Sequence, residues 1–359
     1  MKKISLMSSL LVAVIAIPTA FAANEIVGSD GGSVSVGNSG QASWTMPIDV
    51  PSGINGLSPK LQVSLSSAGG NGYLGLGGGL SGLSAITRCA KTIYQDGYAQ
   101  AAQYSHTDAY CLDGQRLLLQ SGNYGQAGSV YRTAIESFQL VKAHGAIASS
   151  GPAYFEVINR AGASMFFGKN TNANTRDVDP KTGAVSAWKI DTLRDSNSNT
   201  LSYIYRDISG QGEVQLSEIS YGANENQGVT AKLSVEIVYE DRPDKSTFWN
   251  RDSIYTQSKR IKAIQTKVED QLVEEYRFTY SQGETSGLSR LASAQKCAGN
   301  GDCYRPSVFT YQAETQGNWQ TSQLSLPGAL QTPEGNPLGL LSDINNDGIT
   351  DWILSLIHI

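Results

Sequence analysis

The residues best suited to chemistry lie in a short acidic loop near the C-terminal end of the chain. Asp343, Asn345, Asp347 and Asp351 follow the spacing D-x-N-x-D-G-x-x-D, with glycine at the sixth position. Hard oxygen ligands at alternate positions around a sharp glycine turn are typical of a calcium-binding loop. We expect these four side chains to bind Ca²⁺, with the carbonyl of Ile349 as a further ligand and with a structural role for the ion.

A solvated Asn-Asp-Gly turn is the alternative interpretation of the same loop. The twelfth position, where a complete EF-hand carries a bidentate glutamate, is Leu354. The flanking sequence does not predict a pair of helices. The loop is therefore predicted to hold calcium between strands.

Residues for acid–base or nucleophilic catalysis are scarce. The only histidines outside the extreme C-terminus are His106 and His144, and the motifs G-x-S-x-G and H-E-x-x-H are absent. Both histidines are expected on the surface or in loops. Neighbouring carboxylates such as Glu274 and Glu275 would point to opposite faces of a strand. We predict no catalytic residues; a hydrolase with an unrecognised site is the alternative.

A glycine-rich segment, residues 77–82, matches G-x-G-x-x-G literally. A dinucleotide-binding loop needs that motif between a strand and a helix. The residues that follow, 83–88, favour a β segment. A glycine-rich turn, or backbone packed closely against a neighbour, is the better interpretation.

The four cysteines are expected to form two disulfides. An even number of cysteines in an exported chain favours disulfides over zinc, whose sites use C-x2-C spacings. Four cysteines allow three pairings. We favour Cys89–Cys111 and Cys297–Cys303 because the members of each pair are close in sequence.

The elements that position these residues are predicted to be strands of an antiparallel, all-β protein. Apolar and polar residues alternate with a period of two between clusters of glycine, asparagine, aspartate and serine. Turns are predicted at residues 195–199 and 96–97. Residues 258–268 could form a short helix, but a strand is favoured. The clearest predicted strands are residues 61–65, 154–159, 164–167, 201–205, 233–239 and 276–280.

Many of the 17 tyrosines fall in these strands. They are expected on half-buried sheet faces, with packed rings and hydrated hydroxyls. A platform that stacks against sugars is the less favoured alternative.

The first 22 residues have the pattern of a secretory signal peptide. Lys2 and Lys3 precede an apolar stretch, residues 4–17, and an A-x-A cleavage site, residues 20–22. The alternative, a membrane anchor, needs about 20 apolar residues. With a net charge of −5, 16% charged residues and no basic run, the chain is not expected to bind nucleic acid. We predict an extracellular or cell-envelope location and no integral membrane span.

Several stretches together resemble the SpvB/TcaC N-terminal domain family. They are residues 46–61 (MPIDVPSGINGLSPKL), residues 72–89 (GYLGLGGGLSGLSAITRC), residues 110–117 (YCLDGQRL), and residues 259–261 (KRI) with the strand at 276–280 (YRFTY). This family occurs in B components of Tc insecticidal toxin complexes, in SpvB, and in secreted proteins with RHS repeats. The acidic loop is similar to an FG-GAP/VCBS repeat, which forms blades of a β-propeller.

The resemblance implies a shell-type β domain over residues 23–320, followed by a first FG-GAP/VCBS-like repeat over residues 321–353. It implies a noncatalytic scaffold that holds or presents a downstream toxin segment, with other toxin-complex or RHS subunits as partners. The ADP-ribosyltransferase of SpvB is not expected here, because its Glu-x-Glu signature is absent.

A single repeat cannot form a propeller, so we expect the chain to be part of a longer protein. Residues 354–359 are interpreted as a non-native tail from a sequencing adaptor. The alternative function is a calcium-stabilised extracellular adhesin that binds glycans or proteins through an FG-GAP propeller.

Overall fold

The computed structural model describes residues 25–26, 28, 31–147, 151–179, 181–250, 253–313, 339–342 and 351–354. Within these residues the protein is built almost entirely of strands. The chain forms two compact units, with the boundary between Glu314 and Thr315. Among the described residues, no helix has the length and apolar character needed to cross a membrane.

The first fifteen strands reach as far as residue 178. Three short helical segments interrupt them: helix α1 at Ile93–Asp96 and two 3₁₀ turns at Ile54–Gly56 and Thr171–Ala173. The strands are β1 Glu25–Ile26, β2 Ser33–Val36, β3 Ala42–Ile48, β4 Leu61–Ser66, β5 Asn71–Gly72, β6 Gly75–Leu76, β7 Gly78–Ser81, β8 Ala85–Cys89, β9 Ala109–Leu112, β10 Gln115–Ser121, β11 Val130–Thr133, β12 Leu140–His144, β13 Tyr154–Ile158, β14 Ser164–Phe167 and β15 Arg176–Val178.

The remaining strands include the longest strands of the first unit, and the two strands of the second unit are short. They are β16 Val185–Arg194, β17 Asn199–Asp207, β18 Val214–Asn224, β19 Leu233–Asn250, β20 Ser253–Val268, β21 Gln271–Gln282, β22 Ser289–Ala298, β23 Cys303–Tyr304, β24 Ser307–Val308, β25 Gly339–Ser342 and β26 Asp351–Leu354. Every strand predicted from the period-two pattern is present, including residues 258–268 within β20.

Eight antiparallel strands close on themselves into a barrel-like sheet, which we call the ring. Its order is β8, β9, β10, β11, β12, β13, β14, β16 and back to β8. Closure is possible because β16 changes partner along its length: Lys189 pairs with β8, whereas Ile190 pairs with β14. The ring's inward side chains alternate along each strand, as Phe155 and Val157 do in β13.

The six strands β17–β22 form a second region, the long meander, in which each strand pairs antiparallel with the next. A smaller N-terminal sheet, β2–β3–β4–β7, is bonded to it. The N–H of Asp49 donates to the Tyr276 hydroxyl at 2.8 Å, and the Tyr221 hydroxyl donates to the Pro51 carbonyl at 2.8 Å. One continuous hydrophobic core runs through the ring, the meander and this sheet.

The glycine-rich segment lies in the N-terminal sheet. Residues 78–81 form β7, and the next element is β8. Gly77 has φ +75°, and a Cβ there would lie 2.1 Å from the Ser66 carbonyl oxygen. The predicted close backbone packing is confirmed.

Asp96 and Gly97 differ from their predicted role as a turn between strands. They end helix α1, with Gly97 at φ 78° as its left-handed C-cap. The Thr92 hydroxyl accepts from the Gln95 N–H at 3.3 Å and caps the other end. Local capping therefore outweighs the strand pattern around this dipeptide.

Candidate functional site

The predicted calcium ligands Asp343, Asn345, Asp347 and Ile349 lie outside the described residues. Asp351 is described only as the first residue of β26. Strands β25 and β26 pair antiparallel with Ser342 opposite Asp351, so the backbone is brought together at the two ends of the predicted loop. A two-stranded hairpin is what the structure describes of this unit.

The potential catalytic side chains are dispersed. His106 is exposed in the segment before β9, and His144 stacks on Tyr154 with its Nε2 3.2 Å from Glu156. Glu274 pairs with Lys296 at 3.0 Å, whereas Glu275 accepts from Gln265 at 2.8 Å. Among the described residues, no group of three or more His, Cys, Asp or Glu is arranged to hold a metal ion.

The cysteines are joined as Cys89–Cys111 and Cys297–Cys303, the pairing favoured by sequence separation. The first disulfide joins β8 to β9 and so fastens the ring. The second joins β22 to β23, at the end of the long meander, where the two cysteines face each other in the strand register. Both bonds therefore lie where a strand must be held to its neighbour.

A buried ion pair inside the ring was not foreseen from the sequence. Arg88 in β8 contacts Asp108 at 3.1 Å, with side chains 2% and 3% exposed. Its Nε donates to the Val185 carbonyl at 2.6 Å, and its guanidinium lies 5.3 Å from the Trp188 ring centroid. Because Arg88 bonds at once to β16 and to the segment before β9, it ties together strands that are distant in sequence.

The aromatic side chains around Arg88 fill the ring. Phe155 and Trp188 meet edge to face at 5.1 Å, and Tyr110 lies 5.4 Å from Phe155. Tyr110, Tyr131, Phe155 and Trp188 are fully buried. The ring interior is therefore packed with side chains.

The expectation of hydrated tyrosine hydroxyls is wrong for the core tyrosines. The rings pack as predicted, but Tyr203 and Tyr221 are buried, and burial raises the pKa of each to about 12. The Tyr205 hydroxyl donates to the Ile190 carbonyl at 3.0 Å. The cause is tertiary: a second layer covers the sheet face, so the Tyr205 and Tyr221 hydroxyls donate to backbone carbonyls and the buried Tyr110 hydroxyl has no hydrogen-bond partner among the described residues.

A second buried ion pair fastens the N-terminal sheet region to the long meander. Residues 242–245 form a bulge in β19, between the pairings of Asp241 and Ser246. From it Arg242 contacts Asp244 at 2.7 Å and Asn71 at 2.6 Å, and Asp244 accepts from the Ser289 N–H at 2.9 Å. The bulge thus lets one strand bond to two other elements.

The family model described as Salmonella virulence plasmid 65kDa B protein matches residues 36–266. These residues include the ring, strands β3, β4 and β7 of the N-terminal sheet, and strands β17–β19 and most of β20 of the meander. The chain belongs to the SpvB family. A comparison with curated proteins found no match.

Solved structures share the SpvB-family fold at low sequence identity. The N-terminal domain of effector protein SpvB from Salmonella typhimurium strain LT2 is 17% identical, with a TM-score of 0.56 over 70% of this chain and 98% of that one. The Photorhabdus luminescens Tc holotoxin pore is 15% identical, with a TM-score of 0.67 over 90% of this chain, and TcdB2-TccC3 is 14% identical, with a TM-score of 0.63 over 84%. This chain spans 18% of each of those two toxin chains.

Proposed function

We propose that this SpvB-family chain is a noncatalytic N-terminal scaffold of a secreted toxin-complex B-like or RHS-repeat protein. In this role it forms part of a wall that encloses or presents a downstream toxin segment. The observation that carries the proposal is the shared fold with the SpvB N-terminal domain and with TcdB2-TccC3. Other subunits of such a complex are the proposed partners.

The shared core and the two disulfides of the first unit support this role. The closed ring, the meander and the N-terminal sheet share one core, and two disulfides fasten strands to their neighbours. A wall must keep its shape under load, and closed or disulfide-linked sheets resist local opening. The disulfides also fit the proposed export, because they persist in oxidising compartments.

Protease protection in the longer gene product tests encapsulation. We expect the proposed toxin segment of such a protein to remain intact while the native protein is digested, and to be cut once urea unfolds the wall. The same segment expressed alone is the control and should be cut at once. Equal cleavage rates for the free segment and the segment in the native protein would contradict encapsulation.

We also propose that residues 343–351 bind calcium as part of an FG-GAP-type blade. The oxygen-rich spacing supports the ligand set Asp343, Asn345, Asp347, Asp351 and the Ile349 carbonyl. The pairing of Ser342 with Asp351 is compatible with a loop that closes around an ion.

Thermal unfolding of a protein that contains the complete repeats tests this assignment. Calcium should raise the melting temperature, because a bound ion stabilises the folded state by RT ln(1 + [Ca²⁺]/Kd), and the Asp347→Asn variant should lose that response. Asp302→Asn, in a turn of the first unit, is the matched control and should keep it. A melting temperature that calcium and chelators leave unchanged would refute the site.

A further inference from the structure

A cavity of about 580 Å³ lies between the ring and the long meander. Its walls come from β15, from the turn that joins β17 to β18, and from the hairpin of β19 and β20. The volume is within the range of about 300–1,000 Å³ found for small-ligand sites. The scaffold role proposed above does not use this cavity.

The most unusual wall residue is Glu213, a carboxylate that is only 7% exposed. Its Oε2 accepts from the N–H of Ser258 at 3.0 Å and from the Ser258 hydroxyl at 2.7 Å. No lysine or arginine within the described part of the chain forms an ion pair with it. A buried carboxylate without a cationic partner is unfavourable, so this wall favours the arrival of a positive charge.

Two phenols, Tyr73 and Tyr239, lie near the carboxylate of Glu213. Burial raises the pKa of Tyr73 well above its ordinary value, and the carboxylate of Glu213, which Tyr73 faces, raises it further. Burial also raises the pKa of Tyr239, and the nearby Glu213 carboxylate raises it further. Tyr73 also forms a side-chain hydrogen bond with Glu213, but a neutral phenol brings no positive charge to the carboxylate.

The charged groups beside Glu213 in the cavity wall are already engaged. Asp177 pairs with Lys189 at 2.6 Å. The Nε of Arg176 donates to the Gly168 carbonyl at 2.7 Å, and the charge of this guanidinium acts on buried Asp191. Neither cation reaches Glu213.

An aromatic surface completes the cavity. The rings of Phe248 and Tyr255 stack with centroids 5.6 Å apart and an angle of 15° between their planes, and Phe248 is 55% exposed. Burial raises the pKa of Tyr255, and the carboxylates of Asp179 and Asp177 add to that rise. Exposed aromatic faces attract cations, and they do so most strongly where carboxylates are near.

We propose that this cavity binds a ligand with a guanidinium or ammonium group on an aliphatic stem, such as a basic amino-acid side chain, and that the cationic group is directed to Glu213. The aromatic pair would hold the aliphatic stem and the charge of that side chain. An anionic ligand is disfavoured by the buried carboxylate of Glu213, which forms no ion pair with a described cation. A neutral glycan could use the polar wall but would leave the charge of Glu213 uncompensated.

Titration calorimetry on the purified chain tests the proposal with three probes. They are acetyl-Gly-Arg-Gly-amide, acetyl-Gly-Gln-Gly-amide and maltose. We expect saturable binding of the arginine peptide, at least tenfold weaker binding of the other two, and loss of affinity as salt is raised. Equal or tighter binding of maltose, or no binding of the arginine peptide at millimolar concentration, would overturn the proposal.

Matched variants locate the binding site. Glu213→Gln keeps the size of the side chain and should lower the affinity for the arginine peptide at least tenfold. Glu236 lies outside the cavity and pairs with Lys267, so Glu236→Gln should leave this affinity unchanged. Phe248→Leu alters an exposed side chain, so the fold should persist while affinity falls about threefold. Unchanged affinity in a folded Glu213→Gln or Phe248→Leu variant would place the peptide elsewhere.

Discussion

The ring and the long meander are both antiparallel sheets, but they bury their strands in different ways. The ring uses short strands, such as β11 with 4 residues and β13 with 5, and joins its first strand, β8, to its last, β16. The meander uses long strands, of which β19 has 18 residues, and depends on the N-terminal sheet to cover its core face.

This difference shows where each region needs a buried ion pair to hold separate strands together. Closure of the ring depends on contacts such as Ala187 with Thr87, far apart in sequence. Arg88 of β8, which pairs with buried Asp108, also donates to the Val185 carbonyl of β16 inside the aromatic core. The meander forms from consecutive hairpins, and its buried pair, Arg242 with Asp244, instead bonds to Asn71 and Ser289 in separate elements. Buried charge in this protein therefore joins strands that chain connectivity alone does not bring together.

The largest expected effect on stability comes from removing the buried Arg88–Asp108 ion pair inside the ring. Arg88→Met leaves Asp108 buried without its partner, so the free energy of unfolding should fall by about 3–5 kcal/mol in urea denaturation. Arg132→Met is the control, because its pair with Glu136 is 42% and 49% exposed, and the loss should stay within about 1 kcal/mol. Similar losses in the two variants would argue against the importance of the buried ion pair.

Removing the disulfide of the ring and removing that of the meander should give a smaller difference in the free energy of unfolding. Cys89 and Cys111 enclose a longer segment than Cys297 and Cys303, with sequence separations of 22 and 6. Loop entropy predicts that replacing the first pair by alanine costs about 3 kcal/mol and the second about 2 kcal/mol. Urea denaturation of the two double variants measures both values. A greater loss for the second pair would show that strand packing outweighs loop length.

Lowering the pH should change the stability contributed by one carboxylate in each region, and the two changes should have opposite sign. In the meander, burial acts to raise the pKa of Asp244, but hydrogen bonds from Arg242 and Ser289 outweigh it and hold this pKa well below its ordinary value. In the ring, burial raises the pKa of Asp191 despite the N–H groups of Asn170 and Lys169.

Asp244 therefore stabilises the fold above its unfolded pKa, and this contribution is lost as pH falls through the folded value. Asp191 contributes stability below its unfolded pKa, and that contribution is lost as pH rises through the folded value. Between pH 5 and pH 2 the Asp244 contribution should fall by about 2 kcal/mol, and Asp244→Asn should abolish this change. Asp191→Asn should raise stability at pH 7 and not at pH 3. Unfolding curves at several pH values test both signs.

The smallest expected difference is between two alanine variants, one of them at a glycine beside the ring core. Gly168 has φ +74°, and a Cβ there would lie 2.5 Å from Cδ1 of Trp188, whereas Gly162 has φ +79° with nothing within 4 Å. Both alanine variants carry the left-handed backbone cost, about 1–2 kcal/mol. Overpacking should make Gly168→Ala less stable by roughly a further 1 kcal/mol in thermal or urea unfolding. Equal losses would mean that Trp188 shifts freely.

Local pattern predicted much of the fold. Alternation in residues 164–167 matches β14 in both bounds, and the alternation in residues 258–268 lies within β20. The pattern failed at residues 96–97, where helix capping decides the backbone, and at the core tyrosines, where a covering layer replaces water. The carboxylate of Glu213 gave no signal, since an isolated glutamate before a strand does not reveal whether a cation will lie beside it.

The sequence by itself determined the all-β class, the positions of most strands, the disulfide pairing favoured by proximity, and the family, because these depend on neighbours along the chain. Only the tertiary structure decided that β8 meets β16, that Arg88 meets Asp108, and that Glu213 lines a cavity without an ion pair to any described lysine or arginine. The reason is physical. Strand formation follows the local alternation of apolar and polar residues, whereas the burial and pairing of a charge depend on which distant strands enclose it.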